Sequence, residues 1–396
     1  MGESLITRRA GAGGGGEATI TFDNYIGEGA VANKFVGNWS VYSDELAGAS
    51  VGGYALFAGG KSGVYNSYVF AYDASLTVTM PTSLSEARYQ LEGASVGNYA
   101  LFAGGIAASY MNTVDAYDTS LTHSTPTSLS AGRTYLAGAS VGNYALFAGG
   151  RIGTTNTSTV DAYDTDLSRT TQTSLSQARN QLAGASVGNY ALFAGGVGSA
   201  TLAVVDAYDI NLTRSTPTTL SVARIQLAGT SVGNYALFAG GYGSSYSSTV
   251  DAYNTSLTRS TPTTLSEARH RLAGASVGNT ALFAGGAPSN VATSTVDAYG
   301  ADLTHTTTSL SEARSQLAGA SVGNYALFAG GTDPYNPKIP SPVNACYQYA
   351  EILLYPGTKY KFNDMTQEET STTEQKLNVV SPVNGYMKIQ NVTLQN

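Results

Sequence analysis

Residues 136–150 read LAGASVGNYALFAGG, and close copies of this string run through most of the chain. Its leading Leu falls at Leu46, Leu91, Leu136, Leu182, Leu227, Leu272 and Leu317, a period of 45 residues that is once 46. A fixed period of this length marks units that cannot bury their apolar faces alone and must stack on neighbours. Inside the string, two short apolar runs flank Gly142-Asn143. A two-residue link of this type predicts a tight hairpin, because the turn needs positive φ.

The second unit extends the reading. Strand A is expected at Leu91–Val96, strand B at Tyr99–Ala103, strand C at Thr113–Tyr117 and strand D within Leu121–Leu129. A polar loop, residues 106–112, joins B to C. β-branched and aromatic residues favour strands, and the Gly and Thr density disfavours helix. Strand A is built of small side chains, which suits strands converging on a central axis. Four short antiparallel strands at this period predict an all-β fold, a seven-bladed β-propeller over residues 38–349.

Three repeated features resemble kelch repeats: the diglycine after strand B (for example Gly104-Gly105), a strand-C Tyr (for example Tyr117) and an Arg before strand A. The strand-D Trp usual in that family is missing, since Trp39 is the chain's single Trp, and Leu84 and its equivalents stand in its place. The resemblance implies a kelch-like propeller whose last blade mixes the two chain ends. Strand C of that blade is expected at Val343–Tyr349. Its strand D is expected at Asn38–Ser43, one period before Leu84, with Ile352–Phe362 as the alternative.

The flanks differ in composition. Residues 1–16 include AGAGGGG and read as a flexible tail. Residues 17–37 and 350–396 read as small β-rich extensions, with a further hairpin over Leu377–Val380 and Tyr386–Leu394, and either end could serve attachment to a larger assembly.

Net charge is −7, from 20 Lys and Arg against 27 Asp and Glu, which argues against nucleic-acid binding. One Cys, Cys346, excludes an internal disulfide framework. No apolar run of the roughly 18 residues needed for a membrane helix is present, and no secretory signal is read at the N-terminus. Membrane insertion is not expected. The location stays open between a virion or bacterial surface and the cytoplasm.

Chain connectivity puts the B–C loops and D–A links on one face. The loops differ most among otherwise similar units: KSGVYNS, IAASYMN, RIGTTNTS, VGSATLA, YGSSYSS, APSNVATS and TDPYNPKIPSP. Tyr65, Tyr110, Arg151, Tyr242, Tyr246, Asn290 and Tyr335 lie in them and are the candidate ligand-binding residues. Arg88, Arg133, Arg179, Arg224, Arg269 and Arg314 recur at the D–A links. They are either a ring gripping an anionic or glycan ligand, or internal ties to backbone carbonyls and the neighbouring blade.

Repeated Asp in strand C (Asp115, Asp161, Asp206, Asp251, Asp297) could suggest calcium. The set at the end of strand C (Asp73, Asp118, Asp164, Asp209) fits turn capping better. No metal or other cofactor is expected. Some kelch-like propellers are copper-radical oxidases, but His123, His270 and His305 form no metal-like cluster and read as scattered surface residues. No P-loop, GxSxG, HExxH or Asp-box pattern occurs. The expected function is a non-catalytic module presenting variable loops to a glycan or protein partner, with a loose likeness to phage tail or bacterial surface appendages. A carbohydrate-active enzyme on the same scaffold and a purely structural repeat protein are the alternatives.

Overall fold

A computed structural model describes residues 18–19, 30–39, 43–289, 291–333, 342–354, 359–361, 369–370 and 375–380. The repeat string folds as read. In the third unit Ala137–Val141 pairs antiparallel with Tyr144–Ala148, which pairs with Val160–Tyr163, which pairs with Arg169–Thr171. Six four-stranded sheets of this kind occur among the described residues, each with strand A at one edge and strand D at the other. Together with a seventh, closing sheet they form a seven-bladed β-propeller.

The closing sheet mixes the ends. Its order is Ala30–Asn38, Pro342–Leu354, Tyr325–Ala329, Ala318–Val322. The N-terminal segment supplies strand D, as preferred, but the strand lies earlier than Asn38–Ser43. Trp39 follows it and packs into the core, stacked on Phe70 at 4.1 Å with planes 7° apart, and its Nε1–H donates to Tyr72 Oη at 2.8 Å. Strand C of this blade is also longer than expected.

Strand D is shorter than the expected span, only two residues in several blades (His123–Ser124, for example). Its later residues instead form the link that carries Leu84 and its equivalents into the core. The strand-C Tyr joins blades: Tyr117 Oη donates to the carbonyl of Thr82 at 2.7 Å, and its ring packs edge-on against Phe102. Asp118 Oδ1 accepts the N–H groups of Ser120 and Thr122, so the second Asp set caps turns.

The axis explains the small strand A. In each A–B hairpin the residues flanking the turn exchange both bonds, so alternate residues of strand A turn their backbone groups away from strand B. These are Gly and Ser. A Cβ on Gly184 would fall 2.1 Å from the carbonyl oxygen of Gly138, and the other six positions of this tier are as tight, at 2.2–2.6 Å. Only Gly fits. One tier deeper, Ser hydroxyls link the blades: Ser95 Oγ donates to Ser50 O, Ser140 Oγ to Ser95 O and Ser186 Oγ to Ser140 O, each at 2.6 Å. The Gly, Ala and Ser tiers line an open axial channel with a volume of about 240 Å³.

The chain divides into two units, Asn33–Cys346 and Met1–Ala32 with Tyr347–Asn396. The propeller unit thus begins and ends a few residues earlier than the expected 38–349. In the second unit, Ala18–Thr19 pairs parallel with Tyr360–Lys361, Lys359–Tyr360 with Glu369–Thr370, and Tyr349–Leu354 antiparallel with Gln375–Val380. The expected strand at Tyr386–Leu394 lies outside the described residues. No helix among the described residues is long and apolar enough to cross a membrane.

Candidate binding face around the axial channel

One β-bridge per blade ties the start of the B–C loop to the D–A link, as in Tyr89 with Ile106, Ile225 with Tyr242 and His270 with Ala287. Loops and links therefore share a face. Between each bridge and strand A stands one residue at the channel mouth: Glu45, Gln90, Tyr135, Gln181, Gln226, Arg271 or Gln316. All seven have φ of 53–59°, the left-handed region that non-Gly residues seldom occupy. Their backbones run head to tail around the mouth. Gln90 N–H donates to Glu45 O at 2.9 Å, Gln226 N–H to Gln181 O at 3.1 Å, and Glu45 N–H closes onto Gln316 O at 3.1 Å.

Their side chains form a polar collar. Glu45 Oε1 accepts from Gln90 Nε2 at 3.1 Å and from Gln316 Nε2 at 2.7 Å, and Lys61 Nζ lies 2.6 Å from Glu45 Oε2. Gln90 Nε2 also donates to Tyr135 Oη. Burial opposes the Lys61 charge, but Glu45 outweighs it and holds the Lys61 pKa above its ordinary value.

Outside the collar the loop residues make two aromatic platforms. On the first, Tyr65, 46% exposed, stacks on Tyr89 with centroids 5.2 Å apart and planes 19° apart. Lys61 Nζ lies 4.6 Å from the Tyr89 ring centre, and the Arg151 guanidinium lies 4.9 Å from that of Tyr135. Half-buried Tyr110 reaches the carbonyl of Gly153 on the next loop at 3.5 Å. On the second, Tyr242 and Tyr246 lie 5.3 Å apart, and His270 stands 5.1 Å from Tyr246. His270 Nδ1 is 2.8 Å from Gln226 Oε1. Burial, with Arg271 adding to it, holds the His270 pKa down to about 4, so the ring is neutral at pH 7.

Five of the seven candidate loop residues thus lie on this face, in two groups. Asn290 and Tyr335 lie outside the described residues. Tyr89, Tyr135 and the collar were not singled out in the sequence, and His270 was read only as a scattered surface residue. Their only signal was register: each stands just before, or within two residues of, the Leu that opens the repeat string.

Of the two readings of the recurring Arg, the ligand-gripping ring is corrected and the internal ties hold. Arg88, Arg133, Arg179, Arg224, Arg269 and Arg314 are at most 2% exposed. Each serves its own blade. Arg133 Nη2–H donates to Phe147 O at 3.0 Å, and Nη1 lies 2.8 Å from Asp161. The same pairing joins Arg88 to Asp115, Arg179 to Asp206, Arg224 to Asp251 and Arg269 to Asp297. Arg314 meets Asn344 instead, and burial lowers its pKa to about 10. The strand-C Asp are counter-ions here, and among the described residues no group of three His, Cys, Asp or Glu is placed to hold a metal. Nor are the His scattered: His123 and His305 bond to Asp115 and Asp297 at 2.6 and 2.7 Å.

No family model matches the sequence, and no curated protein does. Among solved structures, the chain is similar to one titled "Structure of YjhT", at 12% identity and a TM-score of 0.52, over 77% of this chain and 98% of that one. At that identity the likeness shows the fold alone: the chain is a seven-bladed β-propeller.

Proposed function

We propose that this propeller is a non-catalytic binding module of kelch-like type, which presents the collar and the two tyrosine platforms to a glycan. One observation carries the reading. The opposite rim repeats nearly the same Gly-Asn and Asp-capped turns, whereas this face gathers exposed tyrosines, cations and amide side chains around a channel mouth. Stacked tyrosine rings suit the apolar face of a sugar ring, and the amides suit its hydroxyls. The extensions at the chain ends would attach the module to a larger assembly at a virion or bacterial surface.

The test is a glycan array probed with the intact chain, Tyr65→Ala, Tyr242→Ala and, on the opposite rim, Asn98→Ala. A bound glycan whose affinity falls at least about tenfold in one tyrosine variant and not in Asn98→Ala supports the reading. Equal binding by all four proteins contradicts it. Sugar release from a bound glycan would replace it with a carbohydrate-active enzyme on the same scaffold.

A further inference from the structure

Strand A of blade 2 departs from its six counterparts at one position. Glu92 stands where the others carry Ala47, Ala137, Ala183, Ala228, Ala273 and Ala318. It is the first residue of the strand and pairs with Ala103 at the end of strand B, so it lies at the mouth end of the channel, two residues from Gln90 of the collar. Its stem passes beside Gly138 of blade 3: a Cβ built on Gly138 would lie 3.1 Å from Glu92 Cγ. The N–H groups of Gly93 and Gly138, which the sheet leaves unpaired, lie beside the carboxyl and favour its charged form. Burial holds its pKa up to about 8, and these two N–H groups are all that pull it down.

The collar itself holds one unanswered acceptor. Gln181 Oε1 is buried and meets no protein donor. By contrast Gln90, Gln226 and Gln316 are engaged with Tyr135, His270 and Glu45. Behind the mouth, the channel of about 240 Å³ is walled by small neutral residues such as Gly48, Ala94 and Ser140. At about 30 Å³ per water, that is room for several heavy atoms. A metal ion fits poorly: calcium takes six to eight oxygens, and Glu92 is one carboxylate. An anion would face Glu92 with no cation on the channel wall.

The geometry points to the channel mouth as a binding site for a primary ammonium group, with Glu92 as its counter-ion. The N–H groups of the ammonium match the Glu92 carboxylate and Gln181 Oε1, the collar acceptor without a protein donor. Glu45, Lys61, Tyr89, Tyr135, Arg151, His270 and Arg271 are the other titratable groups of the collar region. Glu45 is already held by Lys61, which leaves Glu92 as the free counter-charge. Because burial holds the Glu92 carboxyl neutral at pH 7, binding the cation beside it releases a proton. The site is built from strand A and the D–A links, so it does not rest on glycan binding by the loops.

The probe is n-butylammonium, titrated calorimetrically into the full chain at pH 7 in two buffers of different ionisation enthalpy. One saturable site with release of close to one proton is expected. Glu92→Gln should weaken binding at least tenfold and abolish the proton release. Glu92→Ala, which restores the residue of the other six blades and so keeps the fold, should do the same. The chain with its B–C loops replaced by Gly/Ser linkers should still bind. Absence of saturable binding, or binding unchanged in both Glu92 variants, overturns the assignment. So does Ca²⁺ displacing the probe and itself losing affinity in Glu92→Gln, which would make the site a metal site.

Discussion

Arg133 Nη1 and Asp161 Oδ2 lie 2.8 Å apart, with both side chains fully buried. The Arg arrives on the link from blade 2 and the Asp stands in strand C of blade 3, so the pair fastens the incoming link onto the blade it enters. Removing one partner strands a buried charge, which costs about 3–5 kcal/mol. Arg133→Met should therefore lower the unfolding free energy by about that much in denaturant titration. Arg133→Met with Asp161→Leu should be less damaging than either change alone. A single variant within about 1 kcal/mol of the parent would contradict the role assigned to the pair.

Acid should loosen the same ties. Burial raises the pKa of Asp115, Asp161 and Asp297, but Arg88, Arg133 and Arg269, with further hydrogen bonds, outweigh it, and the net shift is downward. A carboxylate with a lowered folded pKa contributes stability that is present above the unfolded value, about 3.9, and is lost as pH falls through the folded value. The melting temperature should drop steeply below about pH 4 through these pairs, and a scan from pH 7 to pH 2 checks it. In Asp161→Asn the drop should be shallower, from a lower starting point.

Glu92 has the opposite sign. Its folded pKa is raised, so stability is greatest below the unfolded value near 4.5 and declines as pH rises towards about 8. Glu92→Ala removes that decline. Its melting temperature should exceed the parent's at pH 8, by an amount on the order of a few kcal/mol in stability, and the two should converge towards pH 4.5. Parallel curves would show that the carboxyl is not held neutral.

The axial glycines set a fourth test. Gly184→Ala places a methyl group 2.1 Å from a backbone oxygen of the adjoining blade, where no flexible side chain can yield. A loss of at least about 2 kcal/mol is expected, of the kind that overpacking causes. Gly53→Ala, at a turn with nothing within 4 Å, is the control and should be nearly neutral.

At the seam the sequence departs from the repeat, and the structure shows why. One period before Arg88 stands Ser43, and one period before Asp115 stands Phe70, so blade 1 lacks the ion pair. Trp39 on Phe70 takes its place. Trp39→Ala should cost about 3–5 kcal/mol, as large buried aromatics do, measured by circular dichroism because the chain has no other Trp.

Much of this was legible before any coordinates. The period, the Gly-Asn turns and the diglycines specified seven hairpins, and the small strand A pointed to the axis. The Arg–Asp pairs were not legible as pairs. Arg133 and Asp161 both recur in most units, but a period shows that two residues share a register and not that their side chains meet. The collar was hidden for a related reason. Gln90, Tyr135 and Arg271 share no side-chain chemistry, only a backbone position with positive φ. Glu92 was visible as the odd residue in its column, yet its meaning needed the channel.

The most direct measurement compares the intact chain with one whose seven B–C loops are replaced by Gly/Ser linkers of equal length. Both are checked for fold by circular dichroism and then tested on a glycan panel and on bacterial cells. Binding by the intact chain that disappears with the loops is the predicted result. Binding that persists without the loops, or is absent from both proteins, would contradict a loop-borne binding face.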